Sequence, residues 1–334
     1  MRAGNRQRGK KMSIHNENYS ANSTELPRVA VLMSTYNGEI FIREQIESIL
    51  AQEGVAVSLY VRDDGSSDQT FEILKEYEDA GNLKILPAKK NVGPGRSFMT
   101  LIFAVSKRTD FDYMAFADQD DIWLPRKLYA AVDKLKDSGE TASLYGSNQT
   151  LYQDGKEGEL RFSCPLDTSL KHHINRNEVS GCTMVMTRKL VTAIVSRPCP
   201  PANIIDFRIH DAWVALVAIL TGTFIYDPNS YILYRIHENN TVGIRKTSIK
   251  ERLNRLLLRG NNGEHRANLR SNTASVLLEY YPDIDEEYRA VLEKYAYYRK
   301  SMKYRLALLR DKEIIKATGE NPLVFRLKIL VNFA

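Results

Sequence analysis

The feature that most constrains this chain is a repeated alternation of apolar runs and helix-periodic segments between residues 28 and 135. The first apolar run, Val29–Met33, ends in a polar loop, after which Ile42, Ile46 and Ile49 recur at helical spacing. The other apolar runs are Val55–Val61, Leu83–Leu86 and Tyr113–Ala117. Continuous apolar strands that alternate with helices predict an α/β fold whose parallel sheet is covered on both faces.

A polar loop follows each predicted strand, where the carboxyl ends of parallel strands meet. The four loops are Ser34–Gly38, Arg62–Asp68, Asn91–Arg96 and Asp118–Asp121. Ligands of open α/β sheets bind in a crevice at these strand ends. The sequence therefore predicts one binding crevice lined by all four loops.

The last loop places Asp118, Asp120 and Asp121 directly after a buried strand. Three like charges at a strand end repel one another unless a cation offsets them. A solvated acidic turn is the alternative, in which Asp121 caps a helix that starts near Leu124–Pro125, because Asp and Pro are common at helix starts. The acidic stretch alone does not decide between these two interpretations.

Composition and sequence pattern argue against a disordered, a secreted and a membrane-spanning protein. The 334 residues are 43% hydrophobic and 26% charged, as in a soluble globular protein. Three cysteines without a CxxC pair predict free thiols in a reducing compartment. The basic N-terminus continues into a polar run, which does not predict a signal peptide, and the apolar run Ala212–Tyr226 is too short for a membrane span. A cytoplasmic protein is expected.

Charge patterning gives two further expectations. The net charge is +6, and the basic residues are not interleaved with aromatic residues in a stripe, so nucleic-acid binding is not predicted. From about residue 248 the chain is expected to be helical, with mixed basic and apolar residues. This region could meet anionic lipid at a membrane surface, or it could pack on the preceding α/β domain or form a homodimer contact.

Other side chains at the predicted crevice have two interpretations each. Asp63 and Asp64 could bind a ribose or a base edge, or could simply form a turn. Asn91–Gly95 resembles a phosphate loop only weakly, and Arg96 could pair with a diphosphate or with a surface carboxylate. Later in the chain, Asp211 could be a general base or a first-turn carboxylate favoured by the helix dipole. His237 could bind a metal or lie in an exposed loop.

Beyond residue 140 the pattern is less regular. Strands are expected at Ser143–Gly146 and Ser180–Met186, helices at Leu190–Val195 and, opened by His210–Trp213, at Val214–Leu220. Two short strands are expected at Phe224–Asp227 and Tyr231–Tyr234, and Gln153–Leu170 is expected to be irregular. The predicted boundaries are a disordered lead-in over 1–26, an α/β domain that carries the crevice over 27–245 and a helical region over 246–334.

Four motifs in order resemble those of family 2 glycosyltransferases. They are Ser34–Gly38, Asp63–Asp68, Asn91–Gly93 and Asp118–Asp121. The resemblance spans about residues 28 to 245 and implies a GT-A fold, with a Rossmann-like nucleotide-binding, mostly parallel sheet flanked by helices. His210–Trp213 and Tyr234–His237, with Asn240, Val242 and Gly243, further resemble a rhamnosyltransferase-like branch that builds bacterial surface polysaccharides.

The resemblance implies a role for individual residues. Asp118-Gln119-Asp120 matches the DxD motif, so Asp120 would bind Mg²⁺ or Mn²⁺, Asp118 would contact the metal or the ribose, and His237 would be a late metal ligand. Asp211 would be the catalytic base, although the preceding residue is His210 where the family usually has Glu. Asp64 would face the pyrimidine. The predicted set for the nucleotide-sugar donor is Thr35, Tyr36, Asn37, Asp64, Asn91, Gly93, Arg96 and Asp118.

The implied activity is inverting, metal-dependent transfer of a sugar from a dTDP- or UDP-sugar, with dTDP-rhamnose as one candidate, to a glycan or lipid-linked glycan. A divalent cation would stabilise the leaving diphosphate, and a carboxylate on the opposite face would take the acceptor proton. Two alternatives are a non-catalytic partner subunit that binds nucleotide sugar and a synthase that loads a polyprenyl phosphate. The non-catalytic subunit is disfavoured because the carboxylates needed for both the metal and the general base are present. The synthase is disfavoured by the lack of clear membrane spans.

Overall fold

In the computed structural model, residues 25–88, 90–138, 141–237 and 268–332 are described. The predicted lead-in up to residue 24, the residues Asn240, Val242 and Gly243, and the predicted helical residues 248–267 lie outside these ranges.

The N-terminal half confirms the predicted strand–helix alternation. Its elements are β1 (Arg28–Thr35), α1 (Ile42–Leu50), β2 (Ala56–Asp63), α2 (Thr70–Asp79), β3 (Leu83–Ile85), α3 (Pro94–Val105), β4 (Tyr113–Ala117), β5 (Ile122–Trp123) and α4 (Lys127–Leu135). In α1 the fully buried Ile42, Ile46 and Ile49 lie on one face because they are three or four residues apart. Burial of each such side chain stabilises the fold by about 1.5–3 kcal/mol.

The second half adds antiparallel strands and one long, kinked helix. Its elements are β6 (Ala142–Gln153), β7 (Lys156–Leu160), α5 (Leu170–His173), β8 (Val185–Thr187), α6 (Arg188–Val195), α7 (Ala202–Thr221) and β9 (Gly222–Arg235). Within residues 268–332 five further helices are described: α8 (Leu269–Tyr280), α9 (Glu286–Tyr297), α10 (Met302–Arg310), α11 (Lys312–Thr318) and α12 (Pro322–Leu330). The predicted helical character of the C-terminal region is confirmed over the residues from 268 onward.

The described strands form one mixed sheet in the order β3-β2-β1-β4-β8-β6-β9-β5, with β7 paired to β6. β1 pairs in parallel with both β2 and β4, and the register places Thr35 opposite Asp63 and Met33 opposite Ala117. The sheet is covered on both faces, since its alternate residues belong to two separate hydrophobic clusters: Leu32 lies in one and Met33 in the other. The carboxyl ends of β1, β2 and β4 therefore meet at one edge, as predicted.

The expected helix start near Leu124–Pro125 is wrong. Ile122 and Trp123 form β5, which pairs antiparallel with Leu233 and Ile232 of β9, and α4 starts only at Lys127. Asp121 therefore does not cap a helix. Its side chain is 1% exposed, and its Oδ1 accepts a hydrogen bond of 3.2 Å from the backbone N–H of Arg235.

Three other expectations need correction. Part of the stretch predicted as irregular, Gln153–Leu170, is a hairpin between β6 and β7, whose turn holds Asp154 and Gly155 at φ of 51° and 76°. The two short strands predicted after residue 224 are one strand, β9, with a register irregularity after Asp227. In the predicted strand Ser180–Met186, residues Gly181–Thr183 form a 3-10 turn and the strand itself begins at Val185.

Within the described ranges, no helix combines the length and the hydropathy that a membrane crossing requires.

Candidate active site

The crevice is built where β1, β2 and β4 end. Thr35 is 1% exposed, and its hydroxyl donates to Asp63 Oδ1 at 2.9 Å. Asp63 Oδ2 in turn accepts the backbone N–H groups of Gly65 at 3.1 Å and Ser66 at 2.9 Å. Asp63 thus fixes the conformation of the loop after β2, because each hydrogen bond to a carboxylate constrains a backbone position. Thr35 supports this wall of the crevice from below.

Tyr36 and Asn37 tie the β1 loop to its neighbours. Gln119 accepts the N–H of Tyr36 at 2.8 Å and donates to its carbonyl oxygen at 3.0 Å, while the Tyr36 side chain remains 51% exposed. Asn37, at a φ of 50°, accepts the N–H of Ser67 at 2.8 Å. Gln119, the middle residue of the DxD stretch, therefore has a structural role: it holds the exposed ring of Tyr36 at the mouth of the crevice.

Asp64 connects β2 to the loop before α3. It pairs with Arg62 and accepts the N–H groups of Val92 at 3.0 Å and Gly93 at 2.8 Å. Asn91 adds a bond of 3.1 Å to the same Gly93 N–H. Gly93 has a φ of 80°, a conformation that favours glycine. In this arrangement Asp64 organises the loop, and its predicted contact with a pyrimidine stays a prediction.

Arg96 forms a surface ion pair, which was the alternative to contact with a diphosphate. Its Nε and Nη2 atoms donate to the Asp206 carboxylate at 2.6 and 2.5 Å. Both side chains are more than a third exposed, so this bidentate pair is worth about 0–1 kcal/mol. A diphosphate at Arg96 would have to displace Asp206.

The acidic stretch brings three predicted site residues together. Asp120 Oδ2 lies 2.8 Å from His237 Nε2, with both side chains partly exposed. Asp118 lies half-buried beside them, and desolvation, followed by the charges of Asp120 and Asp211, raises its pKa to about 7. The shift reports that Asp118, Asp120 and Asp211 share one electrostatic environment although 93 residues separate the first from the last.

Arg235, at the end of β9, holds this stretch in place. Its Nε atom donates to the carbonyl oxygen of Asp120 at 2.9 Å, and its guanidinium pairs with Glu44 of α1. The guanidinium also stacks over the ring of Phe41, 4.7 Å from the centroid. Because Arg235 precedes His237 by two residues, the same strand end positions both the backbone of Asp120 and its imidazole neighbour.

A kink in α7 places Asp211. Ile209 has φ 54° and ψ 177°, so α7 consists of two helical segments, and His210 and Asp211 open the second one as predicted. A β-branched residue with positive φ costs about 1–3 kcal/mol. This strain turns Asp211 toward the 3-10 turn before β8, where a Cβ atom on Gly181 would lie 2.6 Å from His210 Nε2. Glycine at 181 is therefore required for the close approach.

Asp211 is buried and held by hydrogen bonds. Its Oδ1 accepts the N–H of Ala212 at 2.7 Å, and the Asn177 side chain and the Gly181 N–H also donate to the carboxylate. Burial raises its pKa to about 6 in spite of these donors. A carboxylate with such a pKa is ionised at neutral pH and is a stronger base than a surface aspartate.

His210 is an apolar packing element. Its ring stacks on Phe98 at 3.9 Å between centroids and meets the edge of Phe116 at 4.7 Å. Neither ring nitrogen has a hydrogen-bond partner among the described residues, and burial lowers the pKa of His210 to about 3. The imidazole is therefore neutral at physiological pH and supports the kink by packing.

Sequence reasoning missed the inner wall of the crevice. Cys182 lies in the 3-10 turn, and its Sγ, with donor atoms of Asp118 and Asp121, forms a group within 4.8 Å. Gln149 donates to Cys182 Sγ at 3.3 Å and accepts from Arg161 at 2.6 Å. No periodicity or motif points to these positions, because β6, β7 and the turn before β8 meet the acidic stretch only through the sheet topology.

Comparison with known proteins agrees with the motifs. The sequence profile of Glycosyl transferase family 2 matches residues 30–191. The dTDP-rhamnosyl transferase RfbG of Shigella flexneri is 33% identical over 230 residues, which are 67% of this chain and 78% of that protein. The UDP-Glc:alpha-D-GlcNAc-diphosphoundecaprenol beta-1,3-glucosyltransferase WfgD of Escherichia coli is 28% identical over 164 residues, 49% of this chain and 61% of that protein.

The fold also has solved counterparts. The crystal structure of S. aureus TarS 1-349 in complex with UDP superposes with a TM-score of 0.57 at 16% identity, over 92% of this chain and 89% of that one. At that identity the likeness concerns the fold, which is GT-A. The motifs, the profile match and the similarity to RfbG together show that the chain belongs to glycosyl transferase family 2 and is a glycosyltransferase.

Proposed function

We propose that the chain is an inverting, metal-dependent glycosyltransferase of bacterial surface polysaccharide (O-antigen or capsule) synthesis. It moves a sugar from a dTDP- or UDP-sugar, with dTDP-rhamnose the first to test, to a hydroxyl group of a lipid-linked glycan. The observation that carries the proposal is the grouping of Asp118, Asp120 and His237 in one crevice with the ionisable base Asp211. The activities for which RfbG and WfgD are named support the donor class, and that of WfgD supports a lipid-linked acceptor.

The side chains at the acidic stretch fit a divalent cation. Carboxylate oxygens of Asp118 and Asp120 and the His237 imidazole are donors that Mn²⁺ accepts, and the carboxylates also suit Mg²⁺. The inner group is a poorer site for such hard cations: Asp121 is 1% exposed, and burial raises the pKa of the Cys182 thiol, which keeps it protonated. When bound, the cation would supply Lewis-acid stabilisation of the leaving diphosphate.

The chain's own residues would perform the other steps. Asp211 takes the proton of the acceptor hydroxyl as its oxygen attacks the anomeric carbon, and the bond from that carbon to the diphosphate breaks. One in-line displacement inverts the anomeric configuration. Tyr36 and the loops held by Asp63 and Asp64 form the walls against which the nucleoside is bound, and the strained start of the second α7 segment keeps Asp211 oriented.

A donor panel tests the proposal. We expect one or more dTDP- or UDP-sugars to bind in the presence of Mn²⁺ and to release nucleoside diphosphate when water takes the place of the acceptor. Isothermal titration calorimetry and a diphosphate-release assay, each repeated with EDTA, would measure both. Binding without any release of nucleoside diphosphate would favour the non-catalytic alternative, and absence of Mn²⁺-dependent binding across dTDP-, UDP- and GDP-sugars would contradict the proposal.

The C-terminal helices carry features that suit a membrane surface. Leu323, Leu327 and Leu330 lie on one stripe of α12 and are 74%, 60% and 56% exposed. Between residues 299 and 332 the sequence holds nine Lys and Arg residues and three acidic ones, an excess equal to the net charge of +6 of the whole chain. Apolar side chains among basic residues are typical of surfaces that bind anionic lipid. We propose peripheral contact at the cytoplasmic face of the inner membrane.

Replacement of both Leu327 and Leu330 by Glu should abolish this contact, because the apolar stripe is lost and two negative charges are added. We expect the wild-type chain, but not the double variant, to float with vesicles of phosphatidylglycerol and phosphatidylethanolamine. Phe71→Glu, which alters a 43% exposed side chain of α2, is the matched control and should float like wild type. Equal flotation of all three chains would contradict the proposal, and a concentration-dependent dimer lost only in the double variant would assign the stripe to a homodimer contact instead.

A further inference from the structure

Arg208 is a buried arginine that directly precedes the strained Ile209 in α7. Its Nε atom donates to the Thr273 hydroxyl of α8 at 2.8 Å, and its Nη1 and Nη2 atoms donate to the carbonyl oxygens of His173 and Ile174 at 3.3 and 2.5 Å. The guanidinium is a rigid, planar fork of donors, so bonds to three oxygens fix both its position and its orientation. Burial of a cation is costly unless its donors are satisfied, and these three bonds satisfy them.

The kink beside Arg208 needs support from its surroundings. A β-branched residue at the φ of 54° found at Ile209 persists only where neighbouring groups impose that conformation. α3 supports the kink by close packing, since a Cβ atom on Gly95 would lie 2.4 Å from the carbonyl oxygen of Ile205 and 3.2 Å from the Cα atom of Ile209. Arg208 adds a polar anchor one residue before Ile209. The position of Asp211, two residues beyond Ile209, therefore depends on this anchor.

The same guanidinium also holds a second segment that contacts Asp211. α5 ends at His173, and the chain continues through Ile174 to Asn177. The Asn177 side chain donates to the Asp211 carboxylate. Arg208 thus binds the backbone three and four residues before Asn177, and it lies three residues before Asp211 in its own helix. One side chain therefore joins the segment that carries the carboxylate to the segment that donates to it.

We propose that Arg208 is a positioning residue that holds Asp211 in the orientation for taking the acceptor proton. This inference rests on the proposed function. A misplacement of about 1 Å in a reacting group can cost about 10²-fold in rate, so loss of the anchor should slow the proton transfer. The donor would bind at the loops after β1, β2 and β4, which Arg208 does not contact through these bonds. The bond to Thr273 makes the orientation of Asp211 dependent on the C-terminal helices as well.

Arg208→Met removes all three bonds and keeps an unbranched side chain. We expect the rate of sugar transfer to a lipid-linked glycan to fall about 30-fold, because Asp211 is no longer held in position. Binding of dTDP or UDP with saturating Mn²⁺ should stay within about twofold of wild type. Release of nucleoside diphosphate from the sugar nucleotide selected by the donor panel measures the rate, and calorimetry measures the binding.

A double variant distinguishes positioning from general damage. If Arg208 acts through the Asp211 carboxylate, Arg208→Met should cost little once that carboxylate is absent. The variant Arg208→Met, Asp211→Asn should therefore transfer sugar within about threefold of the rate of Asp211→Asn alone. Losses that multiply in the double variant would overturn the positioning role.

Thr273→Val is the milder variant, and it decides the test where Arg208→Met does not fold. It removes one of the three bonds and keeps the branched shape of the side chain. We expect about a fivefold loss of rate with unchanged binding of dTDP or UDP. An unchanged rate in Thr273→Val, or in a folded Arg208→Met, would overturn the role of Arg208.

Arg270→Met is the matched control for the C-terminal helices. Arg270 lies three residues before Thr273 in α8, and its guanidinium donates to Glu320 at 2.7 Å. This variant should unfold at a lower temperature and transfer sugar within about twofold of the wild-type rate. A loss of rate as large as that of Arg208→Met would assign the effect to general damage and overturn the proposal. A wild-type chain that binds no sugar nucleotide with Mn²⁺ would overturn the proposed function itself.

Discussion

Asp211→Asn should reduce sugar transfer by about 10³-fold while the donor still binds, because general-base catalysis contributes about 10²–10⁴-fold and an amide cannot take the acceptor proton. Asn keeps the size of the side chain and can still accept the N–H of Ala212, now 2.7 Å from Oδ1, so the kinked start of the second α7 segment is retained. The measurements are the rate of transfer to acceptor and calorimetric binding of the nucleoside diphosphate with Mn²⁺.

The pH profile adds a second readout for the same residue. Burial raises the pKa of Asp211 to about 6, and only the ionised carboxylate is a base. The transfer rate of the wild-type chain should therefore fall as the pH is lowered through about 6, and the residual rate of Asp211→Asn should lack this acidic limb.

Asp227→Asn is the matched control for Asp211→Asn. Asp227 is also buried, and it accepts hydrogen bonds from Tyr145 at 3.1 Å and from Asn229 at 2.9 Å, away from the acidic stretch. We expect this variant to lose some stability and to keep both the transfer rate and its acidic limb. Full transfer by Asp211→Asn, or an equal loss in both variants, would contradict the assignment of Asp211 as the base.

The parts of the fold that follow from local pattern were predictable. Val29–Met33 and Tyr113–Ala117 are continuous apolar runs, and a run of that kind is stable only as a strand covered on both faces. The predicted crevice followed from topology, since parallel strands that share an edge bring their following loops together. The hairpin turn at Asp154-Gly155 was not predicted, although Asp-Gly is a strong two-residue turn signal.

Contacts between elements that are distant in the sequence determine the features that were not predicted. The sequence signals around Asp121 and Pro125 favour a helix start, but the pairing of Ile122 and Trp123 with β9 outweighs them and buries Asp121. The kink at Ile209 has no local signal, since isoleucine is among the residues least suited to positive φ. Nothing in the sequence marks Lys127 as buried either, because lysine at a helix start is ordinarily solvated. These features depend on β9, α7 and the turn before β8.

Asp120→Asn should lower metal-dependent transfer by about 10³-fold, because stabilisation of a leaving diphosphate by a cation is worth several kcal/mol, and about 4 kcal/mol corresponds to that factor. Unlike Asp211→Asn, this variant should also lose most of its Mn²⁺-dependent nucleotide binding. The amide retains the shape of the side chain, and the clamp from Arg235 to the Asp120 carbonyl oxygen is on the backbone, so the fold should be unchanged. Calorimetry with Mn²⁺ and dTDP measures binding, and a thermal melt checks the fold.

Asp133→Asn is the control for charge alone, since Asp133 is a residue of α4 whose side chain is 46% exposed and pairs with Lys136 on the surface. It should bind Mn²⁺ and transfer sugar like wild type, because surface charges are screened by solvent and salt.

His237→Gln separates the ligand role of His237 from a structural one, because Gln can still form a hydrogen bond with Asp120 but lacks the imidazole ligand. If His237 binds the cation, His237→Gln should weaken the binding of Mn²⁺ and leave the temperature of thermal unfolding unchanged. Wild-type Mn²⁺ affinity in both Asp120→Asn and His237→Gln would mean that the cation, if required, is held by other residues, with the inner group of Asp118, Asp121 and Cys182 the next to test.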